Sequence, residues 1–139
     1  MIVLDTNIVS ELMKSAPAAA VAAWIADQPA TSLYTTSVTQ AEILHGIMLL
    51  PSGKRRSALE AAAEAMFEAD FGGRVLPFAS EAARAYAQIA AQRRRSGRPI
   101  SQFDAQIAAI ASASRASVAT RNVADYEGCG IKVLNPWVD

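Results

Sequence analysis

The sequence predicts an α/β fold: a parallel sheet with helices on both faces. Three observations carry this expectation. Short apolar runs with β-branched residues open the chain and recur to its end: Ile2-Val3-Leu4, Leu33-Tyr34-Thr35, Arg74-Val75-Leu76, Val118-Ala119-Thr120 and Lys132-Val133-Leu134. Stretches with helical propensity or capping signals separate them. The 139 residues are 52% hydrophobic and 19% charged, which suits a single domain over 1–139 burying about two-thirds of its extended surface.

The first strand spans 2–4 and ends at Asp5. Helices are expected over 6–13 and 17–28, the second with Pro17 in its first turn. After the strand at 33–35, Ser37-Val38-Thr39-Gln40 has the form of a capping box. It opens a helix running to about Leu50, before Pro51 and Gly53. That helix is apolar nearly all round, the mark of a core element. A helix over 55–70 closes at Gly72-Gly73, and another over 80–96 stops near Gly97. Ser101 and Asp104 open the last helix, to about Ser114, ahead of the final two strands. In such sheets ligands gather at the carboxyl ends of strands, where Asp5 and Thr120 fall.

Composition excludes several classes. With 13 basic and 13 acidic residues there is no net field to draw nucleic acid or membrane, so any attraction must be local. A single cysteine, Cys129, excludes a disulfide scaffold and a cysteine-rich zinc site. A single histidine, His45, excludes catalysis by a histidine pair and is expected to be a satisfied structural residue. Asp5 interrupts the first apolar stretch and no basic leader precedes it, unlike a signal peptide. No apolar run approaches the ~20 residues that span a bilayer. The expectation is a cytoplasmic protein with no membrane attachment.

The charge map is more informative. Asp5 is the only charge in 1–10, Glu42 the only one in 28–53, and Asp104 the only one in 99–114. Each lone acid occupies a segment otherwise fit for burial. Glu42 shares a helical face with Val38, His45, Gly46 and Leu49, and Asp104 with Ile107, Ala108 and Ala111. Burying an ionised carboxylate costs several kcal/mol (about) without compensation. Asp5 and Asp104 can cap helices, or any of the three acids can pair with a distant arginine. Glu42 lies too far inside its helix to cap it. The joint pattern favours convergence on one cation, and hard Mg²⁺ or Mn²⁺ selects carboxylate oxygens. A fourth position is open: Asn122 can cap a helix with Asp125 in its first turn, or either can complete an acidic pocket.

At these residues the chain resembles the PIN-domain nucleases and, within them, the VapC-type toxins of bacterial toxin–antitoxin pairs. The segments are LDTNIVSEL (4–12), TSVTQAEILHGI (36–47), ISQFDAQIAAIA (100–111) and VATRNVADYEGCGIKVLNPW (118–137), with a closing NPWVD similar to the FitB branch. The resemblance implies a three-layer α/β/α sandwich with a mostly parallel five-stranded sheet. It places the metal-binding acids on Asp5, Glu42 and Asp104, and a fourth catalytic position, often Asp in the family, on Asn122. Thr6 and Thr120 match its supporting hydroxyl residues. It also implies a homodimer, a cognate VapB-like antitoxin, and contact with promoter DNA only through that antitoxin.

The implied activity is Mg²⁺-dependent endoribonuclease cleavage, with Mn²⁺ able to substitute. A carboxylate pocket suits phosphodiester hydrolysis because the cation neutralises phosphate and activates water, while Asp104 or Glu42 is placed to accept a proton. Basic residues should flank such a pocket. Lys54-Arg55-Arg56 and Arg93-Arg94-Arg95 are either solvated helix faces or phosphate contacts, with Arg95, Arg98 and Arg121 as candidates for RNA. Trp24, Tyr34, Tyr86 and Trp137 are expected in the core or a dimer interface. A catalytically weak module acting through its antitoxin is the alternative. A receiver-like phosphoacceptor domain is disfavoured, since the strand at 74–76 runs into Pro77-Phe78 with no aspartate.

Overall fold

The computed structural model describes residues 1–138. Five strands, β1 (Ile2–Leu4), β2 (Leu33–Thr36), β3 (Val75–Leu76), β4 (Ser117–Ala119) and β5 (Val133–Leu134), form one sheet in the order β3-β2-β1-β4-β5. Every pairing is parallel rather than most of them. The helices are α1 (Thr6–Leu12), α2 (Ala19–Ala26), α3 (Ser37–Met48), α4 (Lys54–Ala65), α5 (Ser80–Arg95) and α6 (Gln102–Ala113), with a wider π-helical turn over Met66–Asp70 prolonging α4. Among the described residues no helix is long and apolar enough to cross a membrane.

The pleat of the central strands divides the core. Val3 and Val118 face one way, against Ile89 of α5 and Ile107 and Ile110 of α6. Leu4 and Ala119 face the other, against Ile8 and Val9 of α1, Val21 of α2, Ala63 of α4 and Phe67. Buried on both faces, β1 reads as a continuous apolar run. Helix α3 reaches both sides, with Val38 in the first cluster and Ile43 and Ile47 in the second. The result is three layers, α/β/α.

Some local expectations change. The cap of α3 is Thr36, one residue earlier than the capping box placed it; its hydroxyl accepts from the Thr39 N–H at 3.0 Å. Pro17 lies outside α2, whose first turn has no side-chain cap; the Ala18 N–H donates instead to Glu11 Oε2 at 2.9 Å. Helix α3 is not wholly a core element, because Leu44, Met48 and Leu49 are exposed, Leu49 to 72%. His45 is exposed on that same face, not a buried structural histidine. Trp24, Tyr34, Tyr86 and Trp137 pack partly buried against the two clusters.

Candidate functional site

Strand β1 has neighbours reached by opposite routes: the chain steps outward through β2 and β3, then returns to lay β4 on the other side. At such a switch point the carboxyl ends of adjacent strands part and leave a crevice. Asp5 follows β1 and Thr120 follows β4, and the Asp5 N–H donates to the Ala119 carbonyl at 2.9 Å. A cavity of about 260 Å³ opens there, lined by Asp5, Thr6, Asn7, Ser10, Glu42, Asp104, Asn122 and Asp125.

Each acid arrives by a different local device. Asp5 caps α1, its Oδ1 accepting the Thr6 N–H at 2.8 Å, so capping and pocket membership coexist. Its Oδ2 accepts the Thr120 hydroxyl at 2.8 Å. Thr120 Oγ1 in turn accepts from Asn7 Nδ2 and the Asn122 N–H, both at 3.1 Å, which uses its full donor and acceptor capacity. Asn7 Oδ1 takes the Arg121 N–H at 3.1 Å; that donor fixes which way the amide faces. Glu42, midway along α3, accepts the Thr6 hydroxyl on Oε1 at 2.8 Å, and the Thr6 and Thr39 hydroxyls meet at 3.0 Å. Asp104 stands in the first turn of α6, where its N–H donates to the Ser101 hydroxyl at 3.2 Å and the helix dipole favours negative charge.

Four carboxylates therefore line a cavity with no lysine or arginine in its wall. Burial pushes the Asp5 carboxyl above its ordinary value, against the Thr120 and Thr6 hydrogen bonds, and the Asp104 charge adds to the rise. Burial likewise raises Glu42, opposed by the Thr6 hydroxyl and reinforced by the charges of Asp5 and Asp104. Both acids thus hold protons more tightly folded than unfolded. These two groups bind more protons in the folded chain than in the unfolded one above about pH 4, so their contribution to metal-free stability falls as pH rises through that window. The melting temperature is expected to be higher at about pH 5.5 than at about pH 8, with millimolar Mg²⁺ (about) narrowing the gap. A melting series with and without chelator checks both halves.

The donor set is all oxygen, the kind hard divalent cations take. As the side chains stand, no three His, Cys, Asp or Glu groups among the described residues are placed to grip an ion together. Mg²⁺ does not demand this, since it is typically held by one or two carboxylates with waters and substrate phosphate completing the shell.

The expected site residues divide. Asp5, Glu42, Asp104, Asn122, Asp125 and Thr6 line the cavity, with Thr120 directly behind it. The basic residues do not. Arg95 is exposed at the end of α5, and Arg98 pairs with Glu127 at 2.9 Å. Arg121 stacks over the Trp137 ring, 5.1 Å from its centroid. Arg93 is no solvated helix face: it is buried, donating to the carbonyls of Arg98, Asp125 and Glu127 at 2.7, 2.8 and 2.9 Å. Sequence reasoning missed Asn7, although it stands inside the LDTN segment, and Tyr126. The Tyr126 hydroxyl donates to Asp104 Oδ1 at 3.4 Å, near enough to Asp5 to act on its carboxylate.

The fold as a whole has known counterparts. A PIN domain family model matches residues 2–124. The chain is 44% identical over 137 residues to VapC ribonuclease Y4jK of Sinorhizobium fredii, covering 99% of this chain and 98% of that one. It is 36% identical over 139 residues to toxin FitB of Neisseria gonorrhoeae, covering 100% of both. The solved structure of FitAB bound to an IR36 DNA fragment superposes with a TM-score of 0.92 at 36% identity, covering 99% of this chain and 96% of that one.

Proposed function

Because the chain belongs to the PIN domain family, we propose that it is a metal-dependent endoribonuclease acting as the toxin of a type II toxin–antitoxin pair. The observation that carries this reading is the cavity with four carboxylates and no cationic side chain in its wall. What supports the substrate and the partner is similarity: a relative named as a ribonuclease, another named as a toxin, and a neighbour solved on DNA as FitAB. The protein works as a homodimer held by a VapB-like antitoxin, and it meets promoter DNA through that antitoxin.

Asp5, Glu42 and Asp104 would hold Mg²⁺ or Mn²⁺, one or two of them directly and the rest through the ion's waters. When bound, the cation neutralises the scissile phosphate and lowers the pKa of water. This chain's residues do the rest. Thr120 and the Thr6 N–H fix both oxygens of Asp5. Thr6 occupies Oε1 of Glu42, leaving Oε2 free to accept a proton from the attacking water. Arg121, stiffened on Trp137 beside Asn122, is the phosphate contact to test, although like Arg95 and Arg98 it stands outside the cavity wall.

The test is cleavage of RNA by the purified chain with Mg²⁺, with Mn²⁺ and with chelator. Cleavage that persists in chelator defeats the metal assignment. No cleavage in any of the three moves the protein to the second reading, a weak PIN module acting through its antitoxin. Asn122 favours that reading by removing a charge, yet Asp125 on the same wall restores the count. Asn122→Asp is expected to tighten Mn²⁺ binding about fivefold or more, since a further unit charge near contact is worth about 1 kcal/mol at the least. Calorimetric titration measures this, and an unchanged affinity assigns the fourth position to Asp125.

A further inference from the structure

We propose that Tyr126 is a positioning residue of the acidic cavity: its hydroxyl holds Asp104 in place opposite Asp5 and so sets the spacing at which the two carboxylates accept a divalent cation. The inference rests on the metal reading above and goes beyond it in assigning a residue that the family resemblance did not mark.

Tyr126 heads the fully buried side chains by size, with 1% of its surface exposed. Its only side-chain polar atom donates to Asp104 of α6, and the Asp5 carboxylate that follows β1 lies near enough to act on it. A phenol has a single proton to give. It goes to Asp104 Oδ1 over a long 3.4 Å contact. Burial, followed by the charges of Asp5 and Asp104, pushes the phenol well above its ordinary value, so it remains a neutral donor.

The ring is also anchored from behind. Arg93 donates to the carbonyls of Asp125 and Glu127, the residues on either side of Tyr126. A third bond, to the Arg98 carbonyl, fixes the guanidinium itself. The chain then turns away through Gly128 and Gly130, both at positive φ, 77° and 74°. These are conformations that L side chains rarely adopt. Position thus passes from α5 through a buried guanidinium to a segment backbone, and from a phenol to Asp104. Partners of this kind orient metal ligands, and their loss typically costs about 10–100-fold in metal affinity.

The test is Mn²⁺ calorimetry on the intact chain and on Tyr126→Phe, which keeps the ring and removes the hydroxyl. The expected result is an affinity lower by about tenfold, with the cleavage rate at saturating metal changed far less. A hydroxyl that is only structural would lower the melting temperature and leave the affinity unchanged; that result, or tighter binding, overturns the proposal. If the unmodified chain binds no Mn²⁺, both this inference and the metal reading fall; unchanged affinity in the variant alone removes only this one. Should Tyr126→Phe not fold, the chain labelled with 3-fluorotyrosine gives a second readout. It has three tyrosines, assignable by substituting Tyr34 and Tyr86. The Tyr126 fluorine resonance is expected to shift on Mg²⁺ titration, and a resonance that does not move overturns the proposal.

Discussion

Glu42→Gln is expected to cut RNA cleavage by about a hundred- to thousandfold while raising the melting temperature of the metal-free protein. The glutamine amide oxygen can take the Thr6 hydroxyl just as Oε1 does now, so the local hydrogen bond survives. What disappears is a half-buried charge whose carboxyl is already raised by burial and by Asp5 and Asp104. Asp5→Asn is expected to lose as much activity without the stability gain. Its amide would face the Thr120 hydroxyl, whose acceptor capacity Asn7 and Asn122 already occupy. Cleavage assays and melting curves on the two variants separate loss of charge from loss of fit. A Glu42→Gln protein that cuts at the unmodified rate removes Glu42 from the site.

Arg93→Ala is expected to destabilise the fold by about 3–5 kcal/mol. The substitution leaves three carbonyls, of Arg98, Asp125 and Glu127, without the charged donor they share. For a chain of this size that lowers the melting temperature by about 10 °C or more. Arg93→Lys should recover only part of it, because one ammonium on a flexible stem cannot reproduce the planar fork. Amide exchange should quicken first across 122–130, the segment the guanidinium holds. Equal exchange there in the variant would show that the segment is fixed by other contacts.

The sequence made some of this legible for a physical reason. Asp5, Glu42 and Asp104 stand out because their surroundings lack charge, so each needs an explanation outside its own segment. Boundaries were less distinct: Thr35, Thr36 and Ser37 present three hydroxyls in a row, and backbone geometry alone selects Thr36 as the cap. The exposed face of α3 was read as core because composition records that Leu44, Met48 and Leu49 are apolar, not which way they point. Arg93 was hidden by its neighbours. A run of three arginines at a helix end suits the dipole and solvent, and nothing local distinguishes the one that turns inward. Tyr126 gave no signal, since its hydrogen-bond partner lies 22 residues away on α6.

The hydrogen bond from Thr120 to Asp5 joins residues 115 apart. The centre of the sheet has the same character: Ile2 pairs with Leu33 on one side and with Ser117 on the other. Contacts of such long range form late and slowly. At ribosomal speeds of about 5–20 residues per second, the interval between making Asp5 and making Thr120 is on the order of ten seconds. Throughout it β1 has one neighbour at most, and the acids have neither Thr120 nor Tyr126 to hold them. A chain cut short by a nonsense codon or a stalled ribosome between Asp104 and Tyr126 carries all three isolated acids and no finished cavity. Whatever chemistry the pocket performs, translation must pass Thr120 and Tyr126 before the chain can begin it.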